Sequence, residues 1–143
     1  MGVTSMNILI TDKMAEEAIE LLEDAGHNVT YDEMDHDTLL DSIADYDALM
    51  VRSRTKVTED IVQKGAGGSL KVIGRAGIGV DNIDIKKAGS LGIKVVNAPT
   101  GATISVAELS IGHMLSLSRH LTKADKSIKE NQWIKKQLKG TEL

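Results

Sequence analysis

The chain has 143 residues, carries 17 basic against 21 acidic side chains for a formal charge of −4, and contains no cysteine. The missing thiols exclude disulfides, thiolate metal or iron-sulfur ligation and a cysteine nucleophile, and so mild a negative charge offers no global attraction to nucleic acid or anionic membranes, leaving any anion site to be local. Two Tyr, one Trp and no Phe leave few stacking platforms for bases, and no apolar run approaches the roughly 20 residues of a membrane span.

Met1 to Ser5 reads as a ragged leader without the basic region of a secretory signal. Met6 stands where a myristoylation motif needs Ser or Thr, so a cytoplasmic protein is expected. The first β-type run is Asn7 to Thr11, and Asp12 is placed to cap a helix. The apolar positions of that helix, Met14, Ala18, Ile19, Leu21, Leu22 and Ala25, keep helical spacing until Gly26 stops it. A second run, Asn28 to Tyr31, precedes a helix capped by Asp37 with Leu39, Leu40, Ile43 and Ala44 on one stripe. The third run, Asp47 to Val51, leads to a helix opened by Thr58 with Glu59 and Asp60 in its first turn, passing through Ile61 and Val62 into Gly65, Gly67 and Gly68. A fourth run, Leu70 to Ile73, a short helix over about Asp84 to Leu91 and a fifth run, Lys94 to Asn97, complete the alternation. Such alternation implies an α/β fold: a doubly wound, five-stranded parallel sheet with right-handed crossovers and helices on both faces.

The tail differs. From Ala102 to His120 one long helical pattern is opened by Ser105 and Glu108 as a capping box. Its apolar residues, among them Ile104, Val106, Leu109, Ile111, Met114, Leu115, Leu117 and Leu121, point in too many directions for one face, so burial on two sides is expected. His113 reads as a packing or interface residue of this helix. Lys123 to Gln132 reads as a polar helix, and Trp133 as the anchor of a basic last segment.

In parallel sheets ligands bind at the carboxyl ends of strands, and three of those ends are polar. They carry Arg52-Ser53-Arg54-Thr55, the stretch from Gly74 to Asn82, and Asn97-Ala98-Pro99-Thr100-Gly101. Two readings of the glycines stay open: turn residues at positive φ, or free backbone amides that join Arg52 and Arg75 around a small carboxylate or phosphate. A dinucleotide fingerprint fails, because Asn82 follows Gly77 and Gly79 where G-x-G-x-x-G needs glycine, and a P-loop fails because Val80 stands where lysine is required. A phosphoacceptor receiver module fails too, since the third run ends in Arg52 and the fifth in Asn97. The four histidines share no metal-ligand spacing, so no metal is expected.

Residues 51–58 (VRSRTKVT), 72–84 (VIGRAGIGVDNID), 96–99 (VNAP) and 105–109 (SVAEL), in this order and spacing, resemble the D-isomer-specific 2-hydroxyacid dehydrogenases. Within that family they resemble the phosphoglycerate-oxidising branch of serine biosynthesis. The resemblance covers essentially the whole chain from Met6, and residues 133–143 resemble the segment that precedes the cofactor-binding strand. It implies a flavodoxin-like substrate-binding domain over residues 6–98, followed in 99–143 by the opening helices of an incomplete NAD-binding domain. Arg52 and Ser53 would then face the substrate, with Arg52 and Arg75 on its phosphate and the amides of Gly77 and Ile78 on its carboxylate. Asn97 would lie at the cleft, and Ile78 would also touch the nicotinamide end of NAD. The implied reaction is oxidation of 3-phospho-D-glycerate to 3-phosphohydroxypyruvate with hydride passing to NAD. The family's catalytic Arg, Glu and His and its dinucleotide cradle are not among these 143 residues, so this chain alone is expected to be inactive and to hold no NAD. Two partners are implied: a small phosphorylated 2-hydroxy acid, and a second copy packed along the helix from Ile104 to Leu121. A non-catalytic anion-binding or dimerising module is the alternative.

Overall fold

The aliphatic runs pair into one parallel sheet of five strands in the order β2-β1-β3-β4-β5. The strands are β1 (Asn7–Ile10), β2 (Asn28–Tyr31), β3 (Ala48–Val51), β4 (Val72–Arg75) and β5 (Lys94–Asn97). The structure, a computed structural model, describes residues 4–143, so Met1 to Val3 of the leader read above lie outside the described residues. Four helices alternate with the strands: α1 (Glu16–Asp24), α2 (His36–Ser42), α3 (Glu59–Ala66) and α4 (Ile85–Ser90). The order is that of the flavodoxin-like fold, with its switch point between β1 and β3.

Alternate side chains of each strand feed two cores. Leu9, Leu49, Val51 and Ile73 pack on Leu39, Ile43, Ile61, Val62 and Ala88 from one helical layer. Ile8, Ile10 and Ala48 face Met14, Ile19 and Leu22 on the other side. Leu9, Leu49 and Ile73 are wholly excluded from solvent, and each such burial contributes about 1.5–3 kcal/mol.

Four local expectations are corrected. Leu70 is not in the fourth strand: its amide donates to Gly65 O (3.2 Å) and its buried side chain plugs the end of α3, so the ladder starts at Val72 and runs on to Arg75. Asp12 does not cap α1, which starts at Glu16 behind Ala15 without a side-chain cap. The cap of α2 is Asp35 rather than Asp37, since Asp35 holds an extended backbone and accepts from Thr38 N at 2.9 Å. Asp84, by contrast, does cap α4, through Lys87 N at 2.9 Å.

A first compact unit ends at Gly101, and a second runs from Ala102 to Leu143. The second comprises α5 (Thr103–Ser118), α6 (Leu121–Lys129) and a 3-10 turn at Lys135–Gln137. The fourth correction lies here: α5 starts at Thr103, so Ser105 and Glu108 stand inside it and form no capping box. No residue of α5 is buried, with Leu109 61% and Leu117 77% exposed, so the apolar sides of this helix stand uncovered within the chain. His113 is likewise exposed, and Trp133, read above as an anchor, is 79% exposed. Among the described residues no helix is long and apolar enough to cross a membrane.

Candidate functional site

The register sets the site. Val51 pairs with Arg75, and Arg75 with Asn97, so β3, β4 and β5 end level and their following loops share one rim. The rim is stitched by Ala76 N donating to Val51 O (2.9 Å), Ala98 N to Gly77 O (3.0 Å) and Asn97 Nδ2 to Ile78 O (2.6 Å). Arg52, Ser53, Arg75, Gly77, Ile78 and Asn97 are thereby brought to one edge.

Each then has its own setting. Arg52 is exposed, and its Nη1 donates to Lys13 O at 3.0 Å. Ser53 is exposed beside it. Arg75 is half-buried, and its Nε is buried without a partner. Its guanidinium lies over Gly77, where a Cβ would overlap it. Gly77 N donates to Arg75 O at 2.8 Å, so this amide is already engaged. Ile78 exposes 44% of its surface, and Asp81 sets its carboxylate beside Gly79. Among the described residues the glycines at positive φ are Gly26 and Gly92, so positive φ does not explain Gly77 and Gly79.

Charge separates the arginines. Arg54 is consumed internally: its guanidinium donates to the carbonyls of Thr11 and Met34 and sits 3.4 Å from Asp12 Oδ1. No carboxylate among the described residues pairs with Arg52 or Arg75. Two unneutralised guanidinium groups on one rim suit an anion with two oxygens to offer. A hollow of ≈ 190 Å³ lies elsewhere on the loops, between Met34–His36, Leu39 and Arg54–Lys56, and its arginine is the committed one. No cluster of three or more His, Asp or Glu side chains arranged for a metal occurs among the described residues.

Sequence reasoning read Asp12 as a helix cap and gave Asn82 no role of its own, yet both hold the loop that carries Arg52. Asp12, 2% exposed, accepts at Oδ2 from Arg52 N (2.6 Å) and Arg54 N (3.1 Å) and at Oδ1 from Thr55 N (3.2 Å) and the Thr55 hydroxyl. Burial raises its pKa, but the Thr55 hydroxyl, the Arg52 and Thr55 amides and the Arg54 charge outweigh this and hold the carboxyl below its ordinary value. Asn82, also buried, donates from Nδ2 to Arg52 O (2.9 Å) and Thr55 O (2.7 Å). The available signal was place: Asp12 lies two residues past the end of β1, at the ligand-binding end of the sheet.

Residues 8–135 match the family described as D-isomer specific 2-hydroxyacid dehydrogenase, catalytic domain. A D-3-phosphoglycerate dehydrogenase of Methanocaldococcus jannaschii is 48% identical over 138 residues, 96% of this chain and 26% of that protein. A hydroxypyruvate reductase of Thermotoga maritima is 48% identical over 135 residues, 94% of this chain and 44% of that protein. Among solved structures, the NAD+-bound 3-phosphoglycerate dehydrogenase of Entamoeba histolytica superposes with a TM-score of 0.68 at 37% identity, over 81% of this chain and 40% of that one. The chain thus spans between a quarter and a half of the length of these relatives.

Proposed function

The chain belongs to the D-isomer-specific 2-hydroxyacid dehydrogenases, and we propose that it is the substrate-binding portion of one that oxidises 3-phospho-D-glycerate to 3-phosphohydroxypyruvate with NAD. Equal identity to a phosphoglycerate dehydrogenase and to a hydroxypyruvate reductase does not choose between substrates. The observation that carries the reading is the pair Arg52 and Arg75, two guanidinium groups on one rim with no internal carboxylate. A doubly charged phosphate rewards such a pair more than a hydroxyl does. In this assignment Arg52, Ser53 and Arg75 take the phosphate end, the Gly77–Ile78 turn takes the carboxylate through the Ile78 amide, the Gly77 amide being held by Arg75 O, and Asn97 fixes that turn through Ile78 O. Residues 6–98 serve as the substrate domain and 99–143 open the NAD-binding domain.

The one glycine pair on the rim does not have the form of a dinucleotide cradle. The Gly77-Ile78-Gly79 turn leads through Val80 to Asn82 and into a bridge between Ile83 and Val57, not into a helix N-terminus that could receive a pyrophosphate. NAD belongs to the proposal for the whole protein, with Ile78 as the residue of this chain beside it. What this chain contributes is binding and orientation, and on this reading it binds the acid without oxidising it. The exposed apolar residues of α5, Ile104, Leu109 and Leu117 among them, are assigned to contact with a second copy, and a cytoplasmic setting goes with the same reading.

Calorimetric titration of the 143-residue chain tests it. Tighter binding of 3-phospho-D-glycerate than of D-glycerate is expected, and Arg52→Ala or Arg75→Ala should each weaken it roughly 10- to 100-fold, the worth of a hydrogen bond to a charged group. If both variants bind as the unaltered chain does, the site assignment is wrong.

A further inference from the structure

Loop 52–55 carries two of the proposed substrate contacts, yet it belongs to no helix or strand. Its backbone must be held by something else, because buried amides and carbonyls without partners are costly. Two side chains from distant parts of the first unit supply the partners. From one side, the Asp12 carboxylate collects the amides of Arg52, Arg54 and Thr55 together with the Thr55 hydroxyl. From the other, one Asn82 amide group donates to the carbonyls of Arg52 and Thr55 at 2.9 and 2.7 Å. The two hands meet complementary groups of the same four residues. Arg54 adds its guanidinium to the Asp12 side at 3.4 Å, which leaves Arg52 as the exposed arginine of the loop without a carboxylate partner, next to the exposed Ser53.

We infer that Asp12, with Asn82 as its counterpart, is a positioning residue for substrate binding: it fixes loop 52–55 in the conformation that presents Arg52 and Ser53 to the anion, touching neither substrate nor cofactor itself. This rests on the substrate reading given above. A cap of α1 is excluded as its role, since α1 begins behind Ala15. The carboxylate is also required as such. An amide at position 12 keeps one acceptor oxygen and turns a donor toward the remaining backbone donors, so part of the cluster must open.

The test uses the full 143-residue chain and two readouts, amide hydrogen exchange by NMR and titration with 3-phospho-D-glycerate. In Asp12→Asn the amides of Arg52, Arg54 and Thr55 should exchange about 10-fold faster or more, and affinity should fall by about the same factor, as expected for lost charge-assisted bonds. Amides of Leu9, Leu49 and Ile73 in the sheet should keep their protection. Thr55→Val, which removes only the hydroxyl, should give a smaller version of both effects, and Thr55→Ser should restore the original pattern. Loop exchange unchanged in Asp12→Asn, or loop and sheet loosening together with affinity falling only as the unfolded fraction rises, overturns the inference. Should Asp12→Asn fail to fold, the contrast of Thr55→Val with Thr55→Ser decides it on the same criteria. If the unaltered chain binds no phosphoglycerate, the proposed function fails on its own. Exchange then decides alone: loosening confined to the loop upholds the clamp, and uniform or absent loosening overturns it.

Discussion

The guanidinium of Arg75 lies so close over the α-carbon of Gly77 that a methyl group there would overlap both Nη1 and Cζ. Glycine is required at 77 for space and not for backbone conformation, because Gly77 is not among the positive-φ positions. The overlapped atoms are the far end of a flexible side chain, so Gly77→Ala should displace the guanidinium rather than unfold the sheet. The expected result is a loss of about 10-fold in 3-phospho-D-glycerate affinity, roughly 1.4 kcal/mol. Stability should stay within about 0.5 kcal/mol. Calorimetry and a thermal melt on the same sample check both, and unchanged affinity would remove Arg75 from the site.

Gly68 meets a harder obstacle. A Cβ there would overlap the backbone O and Cα of Ala44, and Ser69 N donates to the same Ala44 O at 2.9 Å. Backbone cannot step aside as a side chain can. Gly68→Ala should therefore cost about 1–3 kcal/mol, the usual range for overpacking, and lower Tm by several degrees in a chain of this length. Affinity for the anion should not change, because this turn lies before β4 and away from the carboxyl rim. Gly65, where the atoms nearest a Cβ belong to the Leu70 side chain rather than to backbone, should tolerate alanine better. Thermal melts of the two variants side by side test the ranking.

Asp47 works at the opposite end of the sheet. It accepts from Asn7 N at 3.0 Å and pairs with Lys71 Nζ at 2.7 Å, tying the starts of β1 and β4 to β3. Lys71 is mostly exposed, so its part is small, and the bond from the Asn7 amide carries most of the effect. Asp47→Ala should cost about 1 kcal/mol of stability in denaturant unfolding. It should leave phosphoglycerate affinity as it was, and a fall in affinity would show that the rim depends on order at the far end of the strands.

What the sequence disclosed follows from how local each signal is. The alternation of aliphatic runs with helical stripes gave the parallel sheet, and position at or just past a strand end was enough to put Arg52, Arg75 and Asn97 on one rim, because both rules need only neighbours in the chain. Leu70 misled because an apolar residue beside a strand reads as strand, while its partner is Gly65 at the end of α3. Asp12 misled for a deeper reason. A helix cap and a loop clamp use identical chemistry, a carboxylate accepting backbone N–H groups, and nothing local says whether the amides come from the next turn or from Arg52 and Thr55, some forty residues on. The glycines at 65, 67 and 68 read only as the end of a helix, because the approach of Gly68 to Ala44 joins residues far apart in the chain. The apolar surface of α5 was legible as composition, but what covers an apolar helix is a tertiary fact.

Acid should withdraw the stability that the Asp12 clamp contributes. Burial alone would raise the carboxyl, but the Thr55 hydroxyl, the two loop amides and the charge of Arg54 hold it below the ordinary value. A group harder to protonate in the folded than in the unfolded chain stabilises the fold at every pH above its unfolded pKa, about 3.9 for Asp. That contribution fades as pH falls from there through the lower folded value. Asp35, Asp47 and Asp60 are shifted in the same direction by their own hydrogen bonds, so the whole protein should lose stability on acidification, and a variant is needed to isolate one group. Urea unfolding of the unaltered chain and of Asp12→Asn, run from pH 7 down to pH 3, makes the separation. The unaltered chain should be the more stable at neutral pH, and the gap should close toward pH 3 because protonation removes from one protein what substitution has already removed from the other. Stability is the better readout than affinity here, since the phosphate and carboxylate of the ligand titrate over the same range. Parallel curves would mean that the Asp12 carboxylate contributes no pH-dependent free energy, and that the loop is held by Asn82 and Arg54 without it.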